Sequence, residues 1–285
     1  MPIVKLRGLF VASLFVASAP TRRMRKRRCL LAAAIIATGM VPAGAADIRL
    51  DPSREGAAGA VLEGRIETGD FEKFRTFIFK ENTVELYLAS PGGNLAEAMK
   101  IGALVRSLRL STMVPGKTLT NQKRNLAIAR RGLKDPRANY MCSSACFLVF
   151  VAGIHRSSDD FGPPILGIHR PFVPGTDVKT MSANNPTAVE DRTQQLVDNY
   201  LRAMDVPAKY AESMFSVPKK KILWIRNDEF KTDLDGFIPR LKAWVKAKCD
   251  LLIGKNEPQV SCERQVQDEL ALRAYGDLLQ KRSQP

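Results

Sequence analysis

Residues 83–108 read TVELYLASPGGNLAEAMKIGALVRSL. Apolar Val84, Leu86 and Leu88 alternate along Thr83–Ala89, the period of a strand. Ser90-Pro91-Gly92-Gly93 breaks that period and reads as a turn. Leu95, Ala98, Met99, Gly102, Leu104, Val105 and Leu108 then recur at helical spacing. Strand, turn and helix in this order make one βα unit.

The same alternation continues on both sides. Val61–Ile66 reads as a strand, and Gly69-Asp70 opens a helix that runs to about Lys80. Leu110–Val114 is a short strand. Ala145–Ala152 is an unbroken apolar helix, expected to be buried all round. Ile165–His169 is a strand stopped by Pro171. Val189–Met204, Ala208–Phe215, Pro239–Cys249 and Glu263–Lys281 read as helices. Strands alternating with helices predict an α/β domain with a largely parallel sheet, plus C-terminal helices. Three parts are expected: a leader at 1–46, the α/β domain at 47–240, and a helical extension at 241–285. Lys117–Tyr140 is basic and poorly periodic, and reads as an insertion into the domain.

Charge first suggests a nucleic-acid partner, because the chain carries 44 Lys+Arg against 29 Asp+Glu, a net +15. Eight of those cations lie in residues 1–46, which hold no acid. Without them, 36 bases face 29 acids, a net of +7. Aromatic content is 7% and no recognition motif is present, so nucleic acid is not the expected partner. The leader has the grammar of a secretory signal. Arg25-Lys26-Arg27-Arg28 is the basic region, Cys29–Val41 the apolar run, and Pro42–Ala46 the small residues around a cleavage site. The apolar run falls short of the roughly 20 residues of a membrane span. Met24 stands where such a signal begins, so its core is 24–46, and Thr21-Arg22-Arg23 weakly resembles a twin-arginine export signal. The expected location is the bacterial periplasm, with no stable membrane span once the signal is cleaved.

Cys29 leaves with the leader, and Cys142, Cys146, Cys249 and Cys262 remain. An even number in an oxidising compartment suggests disulfides. Cys249–Cys262 closes a short loop and is the expected bridge. Cys142 and Cys146 are a poorer pair if both lie in one regular helix. No metal-ligand spacing and no cofactor motif appear, so neither a metal nor a cofactor is expected.

Three segments carry chemistry. The Ser90–Gly93 turn brings backbone N–H groups close to a ligand and suits one arm of an oxyanion hole. Cys142-Ser143-Ser144-Ala145-Cys146 puts serines before the apolar helix, where a hydroxyl either caps the helix or acts as a nucleophile. His169, at a strand end, is placed to act as a general base. The other histidine, His155, follows the apolar helix and reads as its C-terminal cap.

Together these motifs resemble the proteolytic subunit of the Clp protease, within the wider Clp protease/crotonase superfamily. The carriers are Ser-Pro-Gly-Gly, a serine box opening an apolar helix that ends in Ala-Gly, and Ile-His-x-Pro, in that order over roughly residues 60–240. Ser144 precedes Gly153 by nine residues and His169 by 25, as in that family, whereas Ser143 misses both by one. The Cys-x-Ser-Ala-Cys form of the box resembles an exported bacterial branch. The resemblance implies a spiral of ββα units, Ser144 as nucleophile and His169 as its base. It implies the amides of Gly93 and Ala145 as the oxyanion hole, with Pro91 and Gly92 supporting that turn. It further implies a peptide or protein substrate and a homo-oligomer.

Two features depart from the family. The third catalytic residue there is an Asp before an aromatic strand, and the matching Ser216–Trp224 stretch offers Pro218 and Lys219-Lys220-Lys221 instead. Asp228, Glu229, Asp177 or a backbone carbonyl are the substitutes on offer. The gap from Gly93 to Ser144 is also lengthened by the basic 117–140 segment, a candidate lid, substrate guide or partner surface. Three alternatives stand beside the Ser-His hydrolase. They are a silent scaffold that binds peptide or protein, a Ser-Lys dyad using Lys179 or the 219–221 cluster, and a thiol redox role for Cys142 and Cys146.

Overall fold

The computed structural model describes residues 45–118, 120–159, 162–171, 186–218, 220–253 and 259–283. Residues 1–44, on which the expected leader falls, and Asp177, Lys179 and Lys219 lie outside them. A six-stranded sheet runs β1 (Asp47–Leu50), β2 (Gly59–Glu63), β3 (Glu85–Ala89), β4 (Ser111–Val114), β6 (His155–Ser158), β9 (Gly236–Phe237). Its inner pairs β2–β3, β3–β4 and β4–β6 are parallel, while β1–β2 and β6–β9 at the rims are antiparallel. Every residue of β2 and β3 is buried. Parallel strands of this kind need cover on both faces. On one face Leu86 and Leu88 pack with the main core, which includes residues of α1 (Asp70–Glu81), α2 (Leu95–Ser107) and α5 (Ala145–Phe150).

The other face is covered by the 117–140 segment. It folds into α3 (Asn121–Arg130) and the short α4 (Pro136–Asn139), neither expected from its periodicity. Ala127, Leu133 and Tyr140 from this segment pack on Val61, Tyr87 and Ala89. Arg131 is buried, pairs with Asp51 and lies 4.4 Å over the Tyr87 ring. The Glu63 carboxylate accepts from the backbone N–H groups of Lys134 (2.9 Å) and Asp135 (2.7 Å). The segment therefore forms one layer of the sheet packing. Its apolar positions are too sparse to register as a helical stripe, because so many of its polar groups face named partners.

A second sheet joins β5 (Cys142–Ser143), β7 (Leu166–Ile168) and β8 (Leu223–Trp224) in that order. β5 is parallel to β7, and β8 is antiparallel to it. A single bridge from Ser90 to Cys142 ties the second sheet to the first, and another from Ile66 to Gly93 joins the chain just past β2 to the chain just past β3. The carboxyl ends of β2, β3 and β5 meet there, the end of an α/β sheet that usually holds a ligand.

The helices α6 (Pro186–Ala203), α7 (Lys209–Ser216) and α8 (Asn227–Asp233) follow β7, and α9 (Pro239–Ile253) and α10 (Gln259–Ser283) end the described chain. Cys249 and Cys262 are bonded across α9 and α10, with Cα atoms 5.7 Å apart. α10 is tied to the sheet side by Tyr275 Oη donating to Thr83 O (2.7 Å) and by Ser111 Oγ donating to Gln267 Oε1 (3.0 Å). No described helix is long and apolar enough to cross a membrane.

Two expectations need correction. His155 does not cap α5; Val151 occupies that position. His155 is the first residue of β6, pairs with Ser111 and Phe237, and packs its ring edge-on against Phe237 at 4.8 Å. The chain re-enters the sheet immediately after Gly153-Ile154, so no room remains for a cap. Nor do Cys142 and Cys146 share a helix. Cys142 opens β5, just before a sharp turn, and Cys146 lies in α5, which brings their Cα atoms to 5.3 Å and permits the bond between them.

Candidate active site

The Ser90–Gly93 turn is held from three sides. Ser90 N–H donates to Met141 O (2.7 Å), and Ser90 O accepts from Ser143 N–H (3.1 Å). Ser90 Oγ accepts from Gly92 N–H at 3.0 Å. Ile66 clamps the far side, donating to Gly92 O (2.9 Å) and accepting from Asn94 N–H (2.7 Å). This close approach requires glycine. A Cβ on Gly93 would lie 2.1 Å from Ile66 O, and one on Gly92 2.6 Å from Ser143 O. Both residues also have positive φ, 95° at Gly92 and 145° at Gly93.

The serine box makes a sharp strand-to-helix turn. Ser144 has φ 55° and ψ −124°, a conformation that L-residues rarely adopt. It is fixed by its own N–H donating to Gly167 O (3.0 Å) and its carbonyl accepting from Phe147 N–H (3.0 Å). The Cys142–Cys146 bond closes the same turn from either side. Strain of this kind is stored at functional turns, including the nucleophile elbow of serine hydrolases, and costs about 1–3 kcal/mol.

The two serines differ in surroundings. Ser143 is fully buried, and its hydroxyl donates to Pro91 O at 3.2 Å. Ser144 is partly exposed and makes no side-chain cap bond to α5. Ala145 is the first residue of α5, so its amide has no intrahelical acceptor.

His169 follows β7 directly and is partly buried. The backbone after it is anchored through Arg170. That guanidinium donates to Phe215 O from Nε (2.8 Å) and pairs with Glu190 at 3.1 Å. Gly93, Ser144, Ala145 and His169 line one pocket. Leu95, Leu148, Pro171 and Met214 supply its apolar wall. Pro91 and Gly92 stand behind the wall, against Ser143 and Ser144. Of the wall residues, Pro171 belongs to the Ile-His-x-Pro motif, while Leu95, Leu148 and Met214 carry no sequence signal of a site. Met214 comes from α7, more than 40 residues beyond His169, and only tertiary packing brings it here.

Among the described residues that line this pocket, none carries a carboxylate. Asp228 pairs with Arg226 (2.9 Å) on the surface, and Glu229 lies 3.9 Å from Lys209. None of these described lining residues is a lysine, and Lys220 and Lys221 are exposed. Cys142 and Cys146 are bonded and fully buried, which leaves no accessible thiol for redox exchange in this state. Among the described residues, no group of three His, Cys, Asp or Glu side chains is placed to hold a metal ion.

In comparisons with known proteins, no family model and no curated protein matches this chain. A solved structure described as a mutant of 1510-N membrane-bound stomatin-specific protease matches at a TM-score of 0.39 and 14% identity. That match covers 60% of this chain and 73% of that one.

Proposed function

We propose that this protein is an exported serine hydrolase of the Clp protease/crotonase type that cleaves peptides. Ser144 is the nucleophile, His169 its general base, and the amides of Gly93 and Ala145 are the oxyanion donors. One observation carries the reading. Ser144 sits on a strained strand-to-helix turn, leaves the helix uncapped, and shares a pocket with the histidine that resemblance pairs with it.

In this reading Ser144 Oγ attacks the scissile carbonyl while His169 takes its proton. The carbonyl oxygen becomes an oxyanion between the two amides, each worth about 10²–10³ in rate. His169 then gives the proton to the leaving amine. Water, deprotonated by His169, releases the acyl group and returns the proton to Ser144. The apolar wall of Leu95, Leu148, Pro171 and Met214 suits an apolar side chain next to the scissile bond. Export is supported by two disulfides, which persist in oxidising compartments.

A second reading rests on the sequence, where Ser216–Trp224 carries Pro218 and Lys219-Lys220-Lys221 at the place the family resemblance gives to an acid. A triad enzyme whose acid is replaced loses about 10⁴ in rate, so a peptide-binding scaffold fits the same site. Incubating the protein with a peptide library separates the two. The hydrolase gives cleavage that Ser144→Ala abolishes, after apolar residues. The scaffold gives peptide binding that Ser144→Ala leaves intact, with no cleavage.

A further inference from the structure

A second cavity, of about 670 Å³, opens between the end of α2, α9 and α10, within the roughly 300–1,000 Å³ of small-molecule sites. It shares no lining residue with the Ser144 pocket. Its wall combines Arg106, Arg109 and Arg240 with Leu241, Trp244 and Leu270. Three features of this wall point to a ligand.

The first is charge. Arg106 Nη1 and Arg240 Nη2 both bind the Asp205 carboxylate, at 2.9 and 2.8 Å. Arg109 has no ion-pair partner among the described residues and is exposed. Arg156, close behind, is fully buried and held by the carbonyls of Val151, Gly153 and Met204. Burial, together with the Arg106 charge, pushes its pKa down to about 9. Among the described residues, Arg106 and Arg240 thus share the Asp205 carboxylate, and Arg109 and Arg156 stand outside that pairing. The second feature is backbone strain. Arg109 holds φ 55° just past the end of α2, a left-handed position where glycine is usual. A long cation kept at a glycine position breaks a local rule of the kind functional sites break. The third is Trp244, which is 48% exposed beside these cations. An exposed tryptophan next to three arginines that have one carboxylate between them suits a ligand with an apolar body and an anionic head.

We infer that this cavity binds a free single-chain carboxylate amphiphile, with the alkyl chain along Trp244, Leu241 and Leu270 and the carboxylate between Arg109 and Arg240. Arg240, with Arg106, already holds the Asp205 carboxylate in hydrogen-bond geometry. A peptide strand is disfavoured because the enclosing elements are mainly helices, whose backbone groups are already paired.

The chain has two tryptophans, so a Trp224→Phe background leaves Trp244 as the sole indole reporter. Dodecanoate below its micelle concentration is titrated against this variant, with dodecyl maltoside and acetate as controls. The expected result is a saturable change in emission with dodecanoate. Affinity should be at least tenfold weaker for the maltoside and for Arg109→Ala/Arg240→Ala, and acetate should give no response. Both arginines are exposed, and circular dichroism verifies that the variant keeps its fold. No saturable change overturns the inference. Equal affinity for the neutral amphiphile, or an unchanged affinity in the double variant, overturns it too. So does recruitment to anionic vesicles without binding of monomeric dodecanoate.

Discussion

Ser144 is the residue at which local energetics and the proposed chemistry conflict, and that conflict can be measured. Glycine at φ 55° relieves the strain that serine and alanine both carry. Ser144→Gly is therefore expected to be inactive yet more stable than Ser144→Ala by about 1 kcal/mol in urea unfolding. Ser143 tests the opposite case. Its buried hydroxyl satisfies Pro91 O, so Ser143→Ala should lower stability by about 1 kcal/mol and leave reactivity at Ser144 in place. The serine box was legible in the sequence, but the residues alone did not rank its two serines. Resemblance of spacing preferred Ser144, and the contrast in burial and backbone conformation now supplies a physical distinction. His155 was misread because His-Arg-Ser-Ser has no apolar alternation to mark a strand, even though it pairs on both sides.

At the scale of elements, β5 and α5 meet at the turn that carries Ser144, and Cys142–Cys146 locks that junction. Cys142→Ser/Cys146→Ser should lose about 2 kcal/mol on the loop-entropy estimate. It should also react more slowly at Ser144, because the turn is no longer held. The β6–β9 edge gives a pH prediction. Desolvation pushes the pKa of His155 down to about 4, outweighing the attraction of Asp235. The unfolded chain, with a value near 6.5, then binds the proton before the folded chain does. Stability is expected to fall as pH drops from about 6.5 toward 4, and His155→Gln should flatten that slope in chemical denaturation. Elements with long periodic patterns, such as β3 and α2, were readable in advance. β5, β8 and β9 were not, since two residues carry no period. The helices of the 117–140 segment escaped notice because their sparse apolar positions cover a sheet face, while Arg131 pairs with Asp51.

At the scale of the molecule, the charge that first suggested nucleic acid is divided between residues 1–46 and structural pairings. The C-terminal helices are fastened to each other by Cys249–Cys262 and to the sheet side through Tyr275 and Gln267. Cys249→Ser/Cys262→Ser should cost about 3 kcal/mol by the same estimate, read as a shift of the urea midpoint. The central claim is that the folded protein presents one activated serine, at position 144. Labelling with a fluorophosphonate, followed by peptide mapping in a mass spectrometer, addresses it directly. A single adduct on Ser144 is expected, absent in Ser144→Ala, retained in Ser143→Ala and strongly reduced in His169→Ala. No adduct on the folded protein, or an adduct that survives Ser144→Ala, would contradict it.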